Sequence, residues 1–356
     1  MQRAFRRGYT TVGFIAPMIA GRTGSQQPRL QTLAQLIPPL THDLHKGDCG
    51  RVATIGGCEE YTGAPYFVAS AALRLGSDIA HVVCERDAAG AIKGYSPDII
   101  VNPYLRSTRN RDDLPADEAA GRIAALLGKM HAVAAGSGLG TDASILQDVR
   151  RAIGAARDRA LAIVLDADAL ALVADTPDII RGYRNAVLTP NAPEFARLAK
   201  ALGVGAAAEA GGKELPMDEA AKQVAQRLGG VTVVCKGKAD VITNGDRVFV
   251  CSEAGGLRRC GGQGDILAGA LLAFLAWGER YKRRAWTVRP ASDAIEDALV
   301  PMHAAFAACM LTRHASFLAY EECSRAVMST SVLEQIDIAF DNKFEDLLKA
   351  LRPSTA

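Results

Sequence analysis

From residue 50 onward, short β-branched apolar runs alternate with Ala- and Leu-rich stretches. RVATIGG at 51–57 predicts a strand, and APYFVASAALRLG at 64–76 predicts a helix, with Pro65 in its first turn and Gly76 suited to its end. Further strands are predicted at 79–85, 131–138, 161–168, 186–191 and 231–237, most of them followed by helical sequence. Strands so continuously apolar belong to a parallel sheet covered on both faces by helices. VITNGDRVFVC at 241–251 differs, because Asn244-Gly245 between β-branched runs signals a tight hairpin and hence antiparallel pairing at the sheet edge. The fold class predicted is α/β: one three-layer α/β/α domain over 29–352, with a mostly parallel central sheet and an antiparallel edge hairpin. Residues 279–299, between two helical stretches, read as an insertion in that domain.

Composition narrows the partners. The 356 residues are 49% hydrophobic and 22% charged, an ordinary globular balance. Lys+Arg exceed Asp+Glu by 41 − 39 = 2, so nothing global points to nucleic acid or an anionic membrane, and any anion site has to be local. The apolar run Ile266–Trp277 is far below the roughly 20 residues that cross a bilayer. Eight cysteines stand singly, with no CxxC pair and no matching histidine cluster, which argues against structural zinc; several lie in apolar strands as small hydrophobes, consistent with a reducing compartment. Residues 1–42 hold Arg3, Arg6, Arg7, Arg22 and Arg29 and no acid. The first 28 residues therefore fit a targeting segment, mitochondrial in type or, through the apolar run VGFIAPMIAG at 12–21, a secretory signal, or else a disordered tail on a cytoplasmic protein.

In open α/β sheets ligands bind beyond the carboxyl ends of the strands. The segments expected there are GGCEEYTGAP, GSGLGTD, DADAL, TPNAPEF, KGKAD and RRCGGQGD, a recurrence of glycine, carboxylate, amide and one lysine. Each has a plain structural explanation when taken alone. Gly136, Gly138 and Gly140 suit a strand-to-helix turn, or a close approach of backbone N–H groups to phosphate. Asp166 and Asp168 stand two apart at a strand end, where they share a face and can reach Mg²⁺ through water, or cap the next helix. Asn191 and Glu194 have capping-box spacing. Lys236, closing an apolar strand, suits phosphate charge, as do Arg258 and Arg259. Asp265 follows Gly261, Gly262 and Gly264 and opens a long apolar helix, whose first turn directs unpaired N–H groups and about half a positive charge outward.

EYTGAPYF, YSPDIIVNP, GSGLGTD, VLDADAL, VLTPNAPEFARL, VVCKGKADVI and RRCGGQGDILAG run colinearly from about residue 47 to 275. Together they resemble the ATP-dependent (S)-NAD(P)H-hydrate dehydratase family of the ribokinase-like superfamily. The resemblance implies a lyase that repairs hydrated NADH and NADPH: ATP phosphorylates the ring hydroxyl, and loss of phosphate restores the dihydronicotinamide. By the same resemblance Asp265 is the catalytic acid–base residue and contacts the hydrate. Lys236, Gly237, Lys238, Ala239 and Asp240 match one ATP-binding segment. Gly255, Gly256, Leu257, Arg258, Arg259, Cys260, Gly261, Gly262, Gln263 and Gly264 match the other. Asn191, Ala192, Pro193, Glu194, Phe195, Ala196 and Arg197 match the hydrate-binding segment, and Gly138 falls at or beside a further contact. ATP and Mg²⁺ are the implied co-substrate and ion; no residue is assigned as metal ligand, and a homo-oligomer is left open. Cys49 stands where the pattern expects an acid, with Asp48 one place earlier. The alternative is a ribokinase-like vitamin or sugar kinase that stops at the phosphate ester.

Overall fold

The computed structural model describes residues 27–205, 215–286 and 294–351. Along the chain come α1 (Leu30–Ala34), β1 (Arg51–Ile55), α2 (Gly63–Leu75), β2 (Ile79–Glu85), α3 (Arg86–Tyr95), β3 (Ile99–Leu105), α4 (Ala116–Leu127), β4 (Ala132–Ala135), α5 (Ala143–Asp158), β5 (Ala162–Leu165) and α6 (Asp168–Asp175). Then follow β6 (Ala186–Leu188), α7 (Ala192–Ala201), α8 (Met217–Arg227), β7 (Thr232–Cys235), β8 (Asp240–Thr243), β9 (Val248–Cys251), α9 (Gln263–Lys282), α10 (Val300–Cys323), α11 (Ser329–Glu334), α12 (Ile336–Phe340) and α13 (Asp346–Leu351).

The strands form one sheet in the order β3-β2-β1-β4-β5-β6-β7-β8-β9. Pairing is parallel from β3 across to β7, and antiparallel from β7 to β8 and β8 to β9. The Asn244-Gly245 turn joins the last two strands, with Gly245 at φ +93°, a conformation that favours glycine. Side chains alternate across the sheet and divide the core in two. Val52, Ala132, Ala134, Ala162 and Val164 pack under α2, α9 and α10. Ala53, Val133, Ala135, Ile163 and Leu165 pack under α4–α8. Helix α9 is buried on almost every side from Ile266 to Gly278, which explains its all-round apolar sequence. It lies so close to α2 that a Cβ on Gly269 would come within 2.2 Å of the Val68 carbonyl oxygen.

Three sequence expectations change. IIVNPYL, carried in the sequence only as part of a motif, is strand β3, and its Asn-Pro pair is tolerated because β3 lies at the sheet edge, where a missing N–H leaves no neighbour unpaired. The strands predicted over 131–138, 161–168, 186–191 and 231–237 stop at Ala135, Leu165, Leu188 and Cys235. Of the stretch read as an insertion, residues 279–282 are the last turn of α9, 297–299 are a short 3₁₀ turn leading into α10, and 287–293 lie outside the described residues, as does 1–26 of the N-terminal segment.

The loop before β1 shows what replaces the expected acid at position 49. Asp78 accepts the N–H groups of Gly47 (2.7 Å) and Cys49 (2.9 Å), so the position acts through its backbone. The Cys49 thiol is buried, and its pKa is pushed up to about 11 chiefly by that burial. The Cys49 carbonyl accepts from Trp277 Nε1 at 2.7 Å, and Asp48 pairs with Arg280 at 3.1 Å.

Candidate active site

The sheet order reverses between β1 and β4, and the carboxyl ends of β1, β4, β5, β6 and β7 therefore stand side by side. That is where an open α/β sheet receives ligands. Parallel hydrogen bonding continues past the strands into their loops: Gly57 N–H donates to the Ser137 carbonyl (3.0 Å), Asp166 N–H to Ala135 (3.1 Å), Thr189 N–H to Leu165 (3.1 Å) and Lys236 N–H to Pro190 (2.9 Å). The glycines allow this closeness. A Cβ on Gly56 would sit 2.1 Å from the Ser137 carbonyl oxygen, and one on Gly136, whose φ is +128°, would sit 1.8 Å from that of Asp166. Gly138, at φ +68°, lies against the Tyr61 backbone in the same way.

Asp166 and Asp168 are not alternate positions of one strand. Ala167 between them holds φ +48° and ψ −121°, a backbone state that costs a residue with a side chain on the order of 1–3 kcal/mol. The turn separates their tasks. Asp166, buried, accepts from Lys236 Nζ at 2.8 Å. Asp168 accepts the N–H groups of Leu139 and Gly140, each at 3.0 Å, and so holds the glycine loop in shape. Burial raises the Asp168 pKa against these hydrogen bonds.

Helix α9 begins at this rim. Its N-cap is Gly262 at φ +91°, with no side-chain cap, and Asp265 occupies the third helical position rather than the cap. A Cβ on Gly264 would meet Lys236 Nζ at 3.5 Å and Asp166 Oδ2 at 3.6 Å, so the ion pair lies against the helix start. Burial pushes the Asp265 carboxyl up to about 7; a hydrogen bond with the Ser137 side chain opposes this, Asp166 adds to it, Lys236 opposes it, and Asp168 adds to it. Burial works against the charge on Lys236, yet Asp166 beside it, with Glu194 and Asp265, leaves its pKa above the ordinary value. The rim therefore joins a carboxyl able to exchange a proton near neutral pH, a lysine that stays cationic, and a helix N-terminus whose first N–H groups have no partner within the helix.

The remaining predicted residues divide. Asn191 and Glu194 form a complete capping box on α7, at 3.0 and 2.8 Å, and Glu194 also acts on Lys236. Phe195 is buried in the core, whereas Ala192, Pro193, Ala196 and Arg197 are exposed. Arg197 lowers the Asp168 pKa and so faces the rim. Asp240 is buried and bound to Gly237 N–H (3.0 Å) and to Arg313 (2.6 Å), whereas Gly237 and Lys238 are exposed. Leu257, Arg258 and Arg259 are exposed; Gln263 Nε2 donates to the Arg258 carbonyl at 3.2 Å, and Ser329 Oγ donates to the Gly261 carbonyl. Sequence reasoning missed Ser137, Arg313 and Ser329. Ser137 lay inside a quoted glycine motif, and Arg313 is a lone cation in an apolar stretch, MLTRHASF, which was the available signal.

A profile of a family described as NAD(P)H-hydrate dehydratase matches residues 52–337. A Schizosaccharomyces pombe protein named ATP-dependent (S)-NAD(P)H-hydrate dehydratase is 39% identical over 318 residues, which cover 89% of this chain and 93% of that one. Two solved structures share the fold. A ribokinase-like superfamily protein from Enterococcus faecalis is 19% identical with a TM-score of 0.66, covering 91% of this chain and 98% of that one. An ADP/ATP-dependent NAD(P)H-hydrate dehydratase from Bacillus subtilis, co-crystallised with ATP and Mg²⁺, is 21% identical with a TM-score of 0.63, covering 88% and 97%.

Proposed function

Because the chain belongs to the NAD(P)H-hydrate dehydratase family and has the ribokinase-like fold, we propose that it is a lyase that uses ATP to dehydrate the (S)-hydrates of NADH and NADPH, releasing ADP and phosphate. The observation that carries the reading is the half-buried Asp265, its carboxyl raised to about 7, beside Lys236 and the start of α9.

In the first step the ring hydroxyl attacks the γ-phosphorus, its O–H proton passes to Asp265, and the bond to the ADP oxygen breaks. A base near neutrality is suited to that transfer, and a positioned base typically contributes about 10²–10⁴-fold. Lys236 and the N–H groups at residues 262–265 lie where charge on the transferring phosphoryl can be offset. In the second step the ring C–O bond breaks, phosphate departs, and loss of a proton from the adjacent ring carbon restores the double bond. The hydrate is bounded by Gly138 and by Asn191, Glu194 and Arg197, and the nucleotide by residues 236–240 and 255–264.

Among the described residues no group of three or more His, Cys, Asp or Glu side chains forms a metal cage. A Mg²⁺ arriving with ATP would be held mostly by phosphate oxygens, and Asp166 and Asp168, already bonded to Lys236 and to the Leu139 and Gly140 N–H groups, would be the rim carboxylates that assist. When bound, the ion neutralises phosphate charge.

The test is to incubate the protein with ATP and hydrated NADH. Recovery of reduced-ring absorbance in step with ADP is the expected result; a phosphate ester that accumulates with no reduced ring is the kinase outcome and overturns the reading. The Arg-rich, acid-free segment 1–28 further supports mitochondrial targeting. A reporter fused to residues 1–42 should enter mitochondria, and a diffuse cytoplasmic reporter refutes this.

A further inference from the structure

One of the two segments that the proposed function gives to ATP, 236–240, is tied to Glu253, two residues before the other, by a residue belonging to neither. Arg313 projects from α10, half-buried, toward the turn between β7 and β8 and the strand end after β9. Its Nε and Nη2 donate to the two oxygens of Asp240 at 2.6 and 2.7 Å. Nη2 also donates to the Gly237 carbonyl at 2.7 Å, and Nη1 donates to the carbonyls of Lys238 at 3.0 Å and Glu253 at 3.3 Å. One planar guanidinium thus holds a carboxylate and three backbone carbonyls, an array that an ammonium cannot reproduce.

The consequence follows from peptide geometry. In a trans peptide the N–H points opposite to the carbonyl. With the Gly237 and Lys238 carbonyls drawn inward to Arg313, the N–H groups of Lys238 and Ala239 are turned outward, on the side where Gly237 and Lys238 are exposed. Asp240 would otherwise present a buried negative charge beside a phosphate site; Arg313 neutralises it, and the same carboxylate fixes Gly237 N–H at 3.0 Å. One turn further along α10, Ser316 backs the second segment: a Cβ on Gly256 would lie 2.4 Å from its carbonyl oxygen, and its Oγ accepts from Gln263 at 3.4 Å.

We infer that Arg313 is a positioning residue for the nucleotide: it shapes the 237–240 turn and holds it against the 253–256 strand end, so that outward-facing backbone N–H groups receive the nucleotide. The inference rests on the ATP-dependent reading but not on the identity of the acceptor. It is tested on the full chain by calorimetric titration with a non-hydrolysable ATP analogue and Mg²⁺. Arg313→Lys keeps an ion pair with Asp240 and loses the fork, so binding should weaken by about tenfold, the loss of one or two oriented hydrogen bonds. The double variant Arg313→Met with Asp240→Asn removes both charges together and guards against an unpaired buried carboxylate; it should weaken binding at least as much. In steady state the KM for ATP should rise by the same factor while that for the hydrate stays within about twofold of wild type. Wild-type nucleotide affinity in either folded variant, or a KM for the hydrate that rises in step with that for ATP, overturns the inference. The titration needs no hydrate, so a wild-type protein that binds the analogue but fails to dehydrate refutes the proposed activity and leaves the role of Arg313 to be decided by the same titrations.

Discussion

The two ends of helix α9 are built on opposite terms. Its 20 residues span about 30 Å and run from the carboxyl rim of the sheet to the loop before β1. At the far end Trp277 donates to the Cys49 carbonyl, Arg280 pairs with Asp48, and Lys282 pairs with Glu279 at 2.6 Å. Positive charge there agrees with the helix dipole, and each charged side chain pairs with an opposite charge, although the buried Arg280 Nε keeps no hydrogen-bond partner. At the near end Asp265 also has the sign the dipole favours, yet burial holds its carboxyl near 7, and Asp166 and Asp168 crowd it with like charge. One end is completed as structure. The other keeps an acid that folding alone gives no reason to keep, and that contrast marks the site.

Asp265→Asn is the strongest way to break the contrast. It keeps the shape of the helix start and removes the base, so turnover should fall by about 10²–10⁴-fold with nucleotide affinity little changed. Unaltered turnover would move the chemistry to another group. Trp277→Ala strikes the other end. It empties a fully buried site packed against Phe274 and Phe340 and leaves the Cys49 carbonyl without its donor, a loss of about 3–5 kcal/mol in a denaturant titration. The folded fraction should retain wild-type kcat, and a drop in kcat would show that the two ends are coupled.

The contrast was only partly legible in the sequence. Apolar runs such as IAHVVCE and the Asn-Gly hairpin specified the sheet, because a strand buried on both faces must be continuously apolar and the four-residue loop 244–247 needs one residue, Gly245, that tolerates positive φ. Strand β3 escaped because an edge strand accepts the Asn-Pro that elsewhere marks a turn. Asp265 stood out by its glycines, and the Asn191–Glu194 box by its spacing. The partner of Lys236 and the reach of Arg313 are contacts between residues 70 and 73 positions apart, set by strand order, which no local pattern encodes. Ala167 carries no signal at all, since its strain is imposed by the loops on either side.

Lys236→Met sharpens the near end by a smaller step. Nucleotide binding should weaken by about tenfold, as expected for the loss of one charge-assisted contact. The more diagnostic readout is pH. Lys236 lowers the Asp265 pKa, so its removal raises that pKa further, and the acid limb of the kcat/KM profile should move to higher pH. In the wild type that limb should rise through about pH 7, because the base acts only when ionised. A limb that stays in place after the substitution separates Lys236 from Asp265.

The smallest effect reads the same asymmetry through stability. A carboxyl held near 7 in the fold and near 3.8 when free binds more protons folded than unfolded across that interval, so its ionisation destabilises the protein as pH rises from about 4 to 7. Asn carries no such charge. Asp265→Asn should therefore melt higher than wild type at pH 8, by a few degrees after allowance for solvent at a half-buried site, and the gap should close toward pH 4, where both side chains are neutral. Trp277→Ala, which removes no titrating group, should lower the melting temperature by a similar amount at both pH values. If the Asp265→Asn advantage at pH 8 is missing, the carboxylate is compensated in the fold after all, and the near end of α9 is no less complete than the far one.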